Sequence, residues 1–275
     1  MPVPPDCTGE AAGAAALPEP ILAQAALPNW PCPPGVGALC TGLGVVSATT
    51  PWGFNLSLSA GETPAVVGAR RQQLQVSSGV RHWQWLRQVH GTRIACVNAP
   101  RAELEADGLI TARPGLALAV LTADCVPVLL WNAAADRVAA VHAGWRGLVS
   151  GVIGRAVGGF AREGGPVRAY IGPAIGRAHY EVDAPVLQAM ARALGMKSIE
   201  ELMPDLAEPS VPGRARLDLA ACTRRLLLRD GVEAVTLSGL CTYSQAFHSH
   251  RRSARSASAH SGRQASAIWL SDTTR

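Results

Sequence analysis

Two imidazoles and a thiol stand out in this 275-residue chain: His90 in RQVHG, Cys125 in LTADCVPVLL and His142 in AAVHAGWRG. Brought together, they suit a zinc ion whose fourth position stays open to water or substrate. A thiol beside an imidazole is also a nucleophile pair that needs no metal. With 34 residues between His90 and Cys125 and 16 between Cys125 and His142, no two of them share a local finger-type turn. Residue types alone therefore leave two readings open, a ligand set and three separately packed side chains.

The surrounding pattern says what must position them. Residues 116–121, 126–131 and 137–141 are short apolar runs bounded by turn residues and predict three buried strands. Cys125 then falls between two strands and His142 just past the end of the third, where a sheet can hold reactive groups rigidly at a cleft. After His142, the segment Gly144-Trp145-Arg146-Gly147 leads into a predicted helix over residues 148–160. Its N-terminus and the Arg146 guanidinium suit a phosphate, while the glycines alone would also serve a tight strand-to-helix turn. Asp183, Pro185 and Gly195 bracket a helix that buries Val186, Leu187, Met190 and Leu194, and a second helix is predicted over residues 217–230. Strands over 232–237 and 267–270 complete a mixed α/β alternation. No Gly-rich dinucleotide fingerprint or P-loop is present.

From Trp30 to Trp269 the ordered segments WPCPPGV, NLSLSAGE, RQVHG, ADGLIT, LTADCVPVL, VHAGWRG, IGPAIG followed by Tyr180-Glu181-Val182, CTY, SHRR and IW resemble the YfiH-like family, also called the laccase-domain or polyphenol-oxidase family. The resemblance implies an α/β (α+β) sandwich with mixed sheets flanked by helices, related to the catalytic domain of cytotoxic necrotising factor toxins. It places His90, Cys125 and His142 on the family's zinc ligands. It also implies phosphorolysis of adenosine, inosine and methylthioadenosine to the base and ribose phosphate, with adenosine deamination as a second activity. Purine nucleoside and phosphate are the expected small-molecule partners, with Arg146, Arg70 and Asn55 as binding residues; Arg70 follows the Asn55-Leu56 motif as the family's helix arginine does. Two further readings attach to the same residues: an amidase that removes L-serine from UDP-N-acetylmuramoyl-L-serine, and a non-enzymatic zinc-binding module. The chain departs from the pattern at Thr41-Gly42-Leu43-Gly44-Val45, which lacks an arginine and a glycine, at Ala69 in place of an asparagine, and at a Ser/Ala/Arg-rich insertion from Ser253 to Ser261.

Composition narrows the classes further. The net charge is +5, and of 25 basic residues only Lys197 is a lysine, so the arginines read as composition and no nucleic-acid partner is expected. The longest apolar stretch, residues 116–131, is broken by Asp124, so no membrane span is expected either. No Lys or Arg precedes Arg70, and the seven cysteines are scattered, which together predict a cytoplasmic protein with reduced thiols. Residues 1–28, rich in Ala and Pro, read as a disordered tail, and residues 29–275 as one catalytic domain. His248 and His250 would share one strand face, but a single HxH pair falls short of a multicopper site, so copper oxidase chemistry is not expected. Those two histidines, with His82, His179 and His260, read as surface or pocket-lining residues.

Overall fold

Apolar runs without polar alternation need cover on both faces. The strands Leu116–Thr122 and Val126–Asn132, buried at every position, receive it in a layered arrangement. In the computed structural model, residues 21–22, 27–31, 33–160, 162–203, 205–244, 246–256 and 260–272 are described. One mixed sheet orders its strands Ile21–Leu22, Val36–Thr41, Gln264–Leu270, Leu116–Thr122, His82–Gln84. A second mixed sheet runs Ala234–Leu237, Val167–Ile171, Val126–Asn132, Val138–Ala143, Gly108–Thr111, Ile94–Cys96.

The period-two geometry of strands divides the apolar residues between layers. Leu116, Leu118 and Val120 meet Leu129, Trp131, Val138 and Ala140 in the core between the sheets. The alternate residues Ala117, Ala119 and Leu121 face Leu74 of helix α1 (Pro64–Ser78). On the far side of the second sheet, Val126, Val128, Leu130, Ala139 and Val141 pack against helices α2 (Trp145–Val149), α3 (Val152–Val157), α4 (Ala184–Ala193) and α5 (Leu219–Arg229). The result is a helix–sheet–sheet–helix sandwich with mixed sheets, as the family resemblance implies. Truncating one of the fully buried leucines between the sheets, such as Leu118, would cost about 2–5 kcal/mol.

The strands and the two later helices match their sequence patterns closely. Asp183 caps α4 and Asp218 caps α5, each accepting the backbone N–H three positions on. One expectation needs correction. The helix predicted over 148–160 begins earlier, at Trp145, and is interrupted at Gly151, whose φ of +88° breaks the α geometry and leaves two short helices. The expected tail over 1–28 lies outside the described residues through residue 20 and at 23–26, but Ile21 and Leu22 pair with Thr41 and Cys40 on a sheet edge, and Leu27 is buried. An apolar pair there satisfies an otherwise open row of backbone groups.

Trp131 sits in the core against Trp30, 5.1 Å between rings, and Trp83 stacks on Trp85 at 5.4 Å. Of the tryptophans near the motif segments, Trp145 is the one that reaches the cleft described next. The five described cysteines are free thiols.

Candidate metal centre

The 16-residue gap between Cys125 and His142 is closed by a hairpin. Strands Val126–Asn132 and Val138–Ala143 pair antiparallel with His142 opposite Pro127 and Ala143 opposite Val126, so Cys125 emerges beside His142 at one end of the sheet. On the other side, Val141 pairs with Gly108, and the His142 N–H donates to the Asp107 carbonyl at 2.7 Å. Three adjacent strand ends thus present Asp107, His142 and Cys125 together.

His90 arrives on a loop and is held by Asp107. The backbone N–H groups of Val89, His90 and Gly91 donate to the Asp107 carboxylate at 3.3, 2.8 and 2.6 Å, and His90 has a left-handed φ of +60°. The same carboxylate accepts from His142 Nδ1 at 2.8 Å. Asp107 is fully buried and its carboxyl lies below its usual range; burial opposes this, and the hydrogen bonds from His142 and the backbone outweigh it. With Nδ1 donating to Asp107, His142 presents Nε2 to the centre, the carboxylate–histidine arrangement that orients metal ligands.

One ligand atom from each of His90, Cys125 and His142 lies within 4.8 Å of the others, and Cys125 Sγ is 3.8 Å from His90 Nε2. A tetrahedral zinc with bonds of about 2.0–2.3 Å needs its N and S ligands roughly 3.3–3.8 Å apart, so the donor set fits after small adjustments. Gly144 leaves the necessary space: a Cβ there would meet His90 Cδ2 at 2.9 Å and Cys125 Sγ at 3.2 Å. Burial disfavours the Cys125 thiolate, but the His142 and His90 imidazoles outweigh it and bring the thiol down to about 6. Burial also disfavours charge on His142, which Asp107 and Cys125 outweigh, raising it to about 9. A thiolate is the form that binds metal.

The three residues border a cleft of about 890 Å³ that is also lined by Trp145, Arg146, Tyr180, Arg251 and Arg263. Arg146 lies over the Trp145 ring at 4.6 Å and has no acidic partner among the described residues. Asn55 and Arg70, expected to bind substrate, are not brought to the cleft lining. Arg70 is engaged by Glu62 at 2.6 Å with its side chain mostly buried. Asn55 accepts the Arg263 N–H at 2.9 Å and donates to Glu62, so it stands one layer behind the cleft wall.

The paired histidines near the C-terminus also differ from expectation. Ser249 caps helix α6 (His250–Arg255) by accepting the Arg252 N–H, so His248 and His250 do not share a strand face. His250 lines the cleft, while His248 is buried with no hydrogen-bond partner for Nε2 among the described residues. His179 stacks on Tyr243, His260 meets the Trp52 ring edge, and His82 is exposed. The arginine run is structural: Arg252 donates to the carbonyls of Thr242, Tyr243, Ser244 and Phe247, and Arg251 to those of His179 and Glu181.

Burial, assisted by Arg263, Arg252 and Arg70 against the opposing Phe54 carbonyl, lowers His248 to about 3. The unfolded chain takes up this proton below about pH 6.5, whereas the fold resists it, so the stabilisation is whole above 6.5 and is lost as pH falls toward 3. His248 is expected to contribute a slope approaching 1.4 kcal/mol per pH unit in that window. Denaturant melts from pH 7.5 to 4.5 should show His248→Gln less stable at neutral pH but flatter toward acid; parallel curves would refute the assignment.

Asp107 was not singled out by sequence reading, although ADGLIT contains it, because its role is to gather backbone donors. Asp124, Tyr180, Arg251 and Arg263 were likewise assigned no site role.

The family model described as multi-copper polyphenol oxidoreductase laccase matches residues 38–271. The chain is 36% identical over 248 residues to a Pseudomonas aeruginosa protein named purine nucleoside phosphorylase, covering 89% of this chain and 98% of that protein. It is 40% identical over 238 residues to a Mycobacterium tuberculosis protein of the same name, covering 84% and 90%. Among solved structures, a Neisseria meningitidis protein superposes with a TM-score of 0.77 at 30% identity, covering 92% of this chain and all of that one. YlmD from Geobacillus stearothermophilus superposes at 0.76 and 28% identity, covering 88% and 94%.

Proposed function

The chain belongs to the family described as multi-copper polyphenol oxidoreductase laccase, the YfiH-like family, and from that premise we propose that it is a zinc-dependent purine nucleoside phosphorylase with adenosine deaminase activity. The observation that carries the reading is the convergence of His90, Cys125 and His142 in an open cleft that Arg146 also lines. Relatives named purine nucleoside phosphorylase, matched over most of both chains, support the substrate class.

Zinc suits the donor set better than copper. Among the described residues there is one three-ligand cluster, whereas a multicopper oxidase site needs many more histidine ligands. Two imidazoles and a thiolate beside an open cleft match a catalytic zinc site. Zinc held there supplies Lewis acidity, which activates water or polarises a substrate oxygen.

The protein's own groups then divide the work. Asp107 keeps the His142 proton on Nδ1 and Nε2 toward the centre. Arg146, unpaired with any described carboxylate, holds the phosphate oxygens against the ribose C1′. The Tyr180 phenol is held above its usual range by burial and by the nearby Cys125 thiolate, so it stays protonated and can donate to the departing base. Leu121, Ile175 and Val186 give the cleft an apolar wall for the purine face.

Removing the Arg146 guanidinium tests the phosphate half of this reading. Arg146→Ala should raise the apparent KM for phosphate by about tenfold or more, the loss expected for a charge-assisted contact. Its zinc content should stay at the parent value. Phosphate kinetics identical to the parent would remove Arg146 from the site.

A further inference from the structure

Asp124 precedes Cys125 and sits in the left-handed region at φ +90°, a backbone state that is uncommon outside glycine. Such a conformation persists where surrounding contacts over-determine it. Three do so here. The Asp124 Oδ1 accepts from the Thr242 hydroxyl at 2.7 Å, Oδ2 accepts from the Arg251 N–H at 2.7 Å, and the Asp124 carbonyl accepts from the Ile175 N–H at 3.0 Å. Both Asp124 and Thr242 are buried.

Those partners belong to the cleft wall. Arg251 is the second residue of α6, its guanidinium donates to the His179 and Glu181 carbonyls, and it lies 5.5 Å from the Tyr180 ring. Ile175, Tyr180, His250 and Arg251 all line the cleft. We propose that Asp124 is a positioning residue that sets the Cys125 Sγ and locks it to the α6 and 179–182 wall, so that the thiolate and the substrate-facing surface move as one unit. This rests on the metal reading of His90, Cys125 and His142 but on no particular substrate.

The test is a cobalt(II) titration read by the thiolate-to-metal charge-transfer band, which reports Cys125 ligation without turnover. Thr242→Val removes the hydroxyl donor with little change in shape, and Thr242→Ser keeps it. Thr242→Val and Asp124→Ala should weaken cobalt binding by about tenfold or more and diminish the band, the range seen when groups behind metal ligands are lost. Thr242→Ser should bind as the parent does. Asp124→Asn, which tolerates the left-handed backbone and can still accept from the Arg251 N–H while donating to Thr242, should fall between. Parent-like affinity and spectrum in folded Thr242→Val and Asp124→Ala, with only a lowered melting temperature, would overturn the proposal. A parent protein that binds no cobalt would overturn the metal reading, and this inference with it.

Discussion

Asp107→Asn is expected to lower zinc affinity about 10- to 100-fold, a larger loss than its single-atom change suggests. Both carboxylate oxygens are occupied by donors: Oδ1 by the His90 N–H and His142 Nδ1, Oδ2 by the N–H groups of Val89 and Gly91. Whichever oxygen becomes an amide NH₂, a donor faces donors. If the amide nitrogen faces His142, the imidazole satisfies it by accepting at Nδ1, which moves its proton to Nε2 and blocks the ligand atom. If it faces Val89 and Gly91, the loop that carries His90 loses its anchor, at about 1–3 kcal/mol per stranded donor. Zinc per chain after dialysis against a competing chelator reads the outcome; stoichiometric zinc at parent affinity would show that Asp107 does not organise the centre.

Gly144→Ala should be comparably damaging to the site while leaving the fold standing. Its φ of −72° is open to alanine, so the backbone need not distort. The added methyl, however, would lie 2.9 Å from His90 Cδ2 and 3.2 Å from Cys125 Sγ, and one ligand must yield. We expect loss of stoichiometric zinc and a fall in turnover on the order of 100-fold, because displacements near 1 Å have that effect on aligned sites. Gly68→Ala is the control: it lies in α1 with nothing within 4 Å of the new methyl, and should be neutral or stabilising by up to about 1 kcal/mol. A Gly144→Ala protein with parent zinc content would mean that the three ligand atoms do not converge as the structure has them.

The contrast between Asp107 and Cys125 shows what could be read from the chain. Cys125 sits between two uninterrupted apolar runs, and such runs identify strands covered on both faces, so its place at a strand end was legible. The strand patterns on either side of residues 133–137 were legible, but the antiparallel pairing that brings Cys125 beside His142 was not, because period and composition do not specify strand order. Asp107 works by collecting backbone N–H groups from a loop 16 to 18 residues earlier, and that relation leaves no trace in residue type. Its motif came through resemblance, without a role. Gly151 shows a different limit: the apolar pattern continues across it, and only its positive φ splits the helix. Arg70 and Asn55 were placed by motif on the substrate, yet Glu62 takes the guanidinium and Asn55 serves the wall from behind, because a buried charge is stable only when paired. Alternation suggested a strand at His248 and His250, where the Ser249 cap instead starts a helix.

The most direct test of the central claim is product analysis. The purified, metal-quantified protein is incubated with adenosine, with and without phosphate, before and after chelation, and adenine, inosine and hypoxanthine are resolved by chromatography. A zinc-dependent phosphorylase with deaminase activity should hold about one zinc per chain, the occupancy of a single three-ligand site. It should release adenine only when phosphate is present and inosine without that requirement, and should lose both activities on chelation and regain them with zinc. No turnover by the zinc-loaded protein, or adenine release indifferent to phosphate and chelator, would contradict the account.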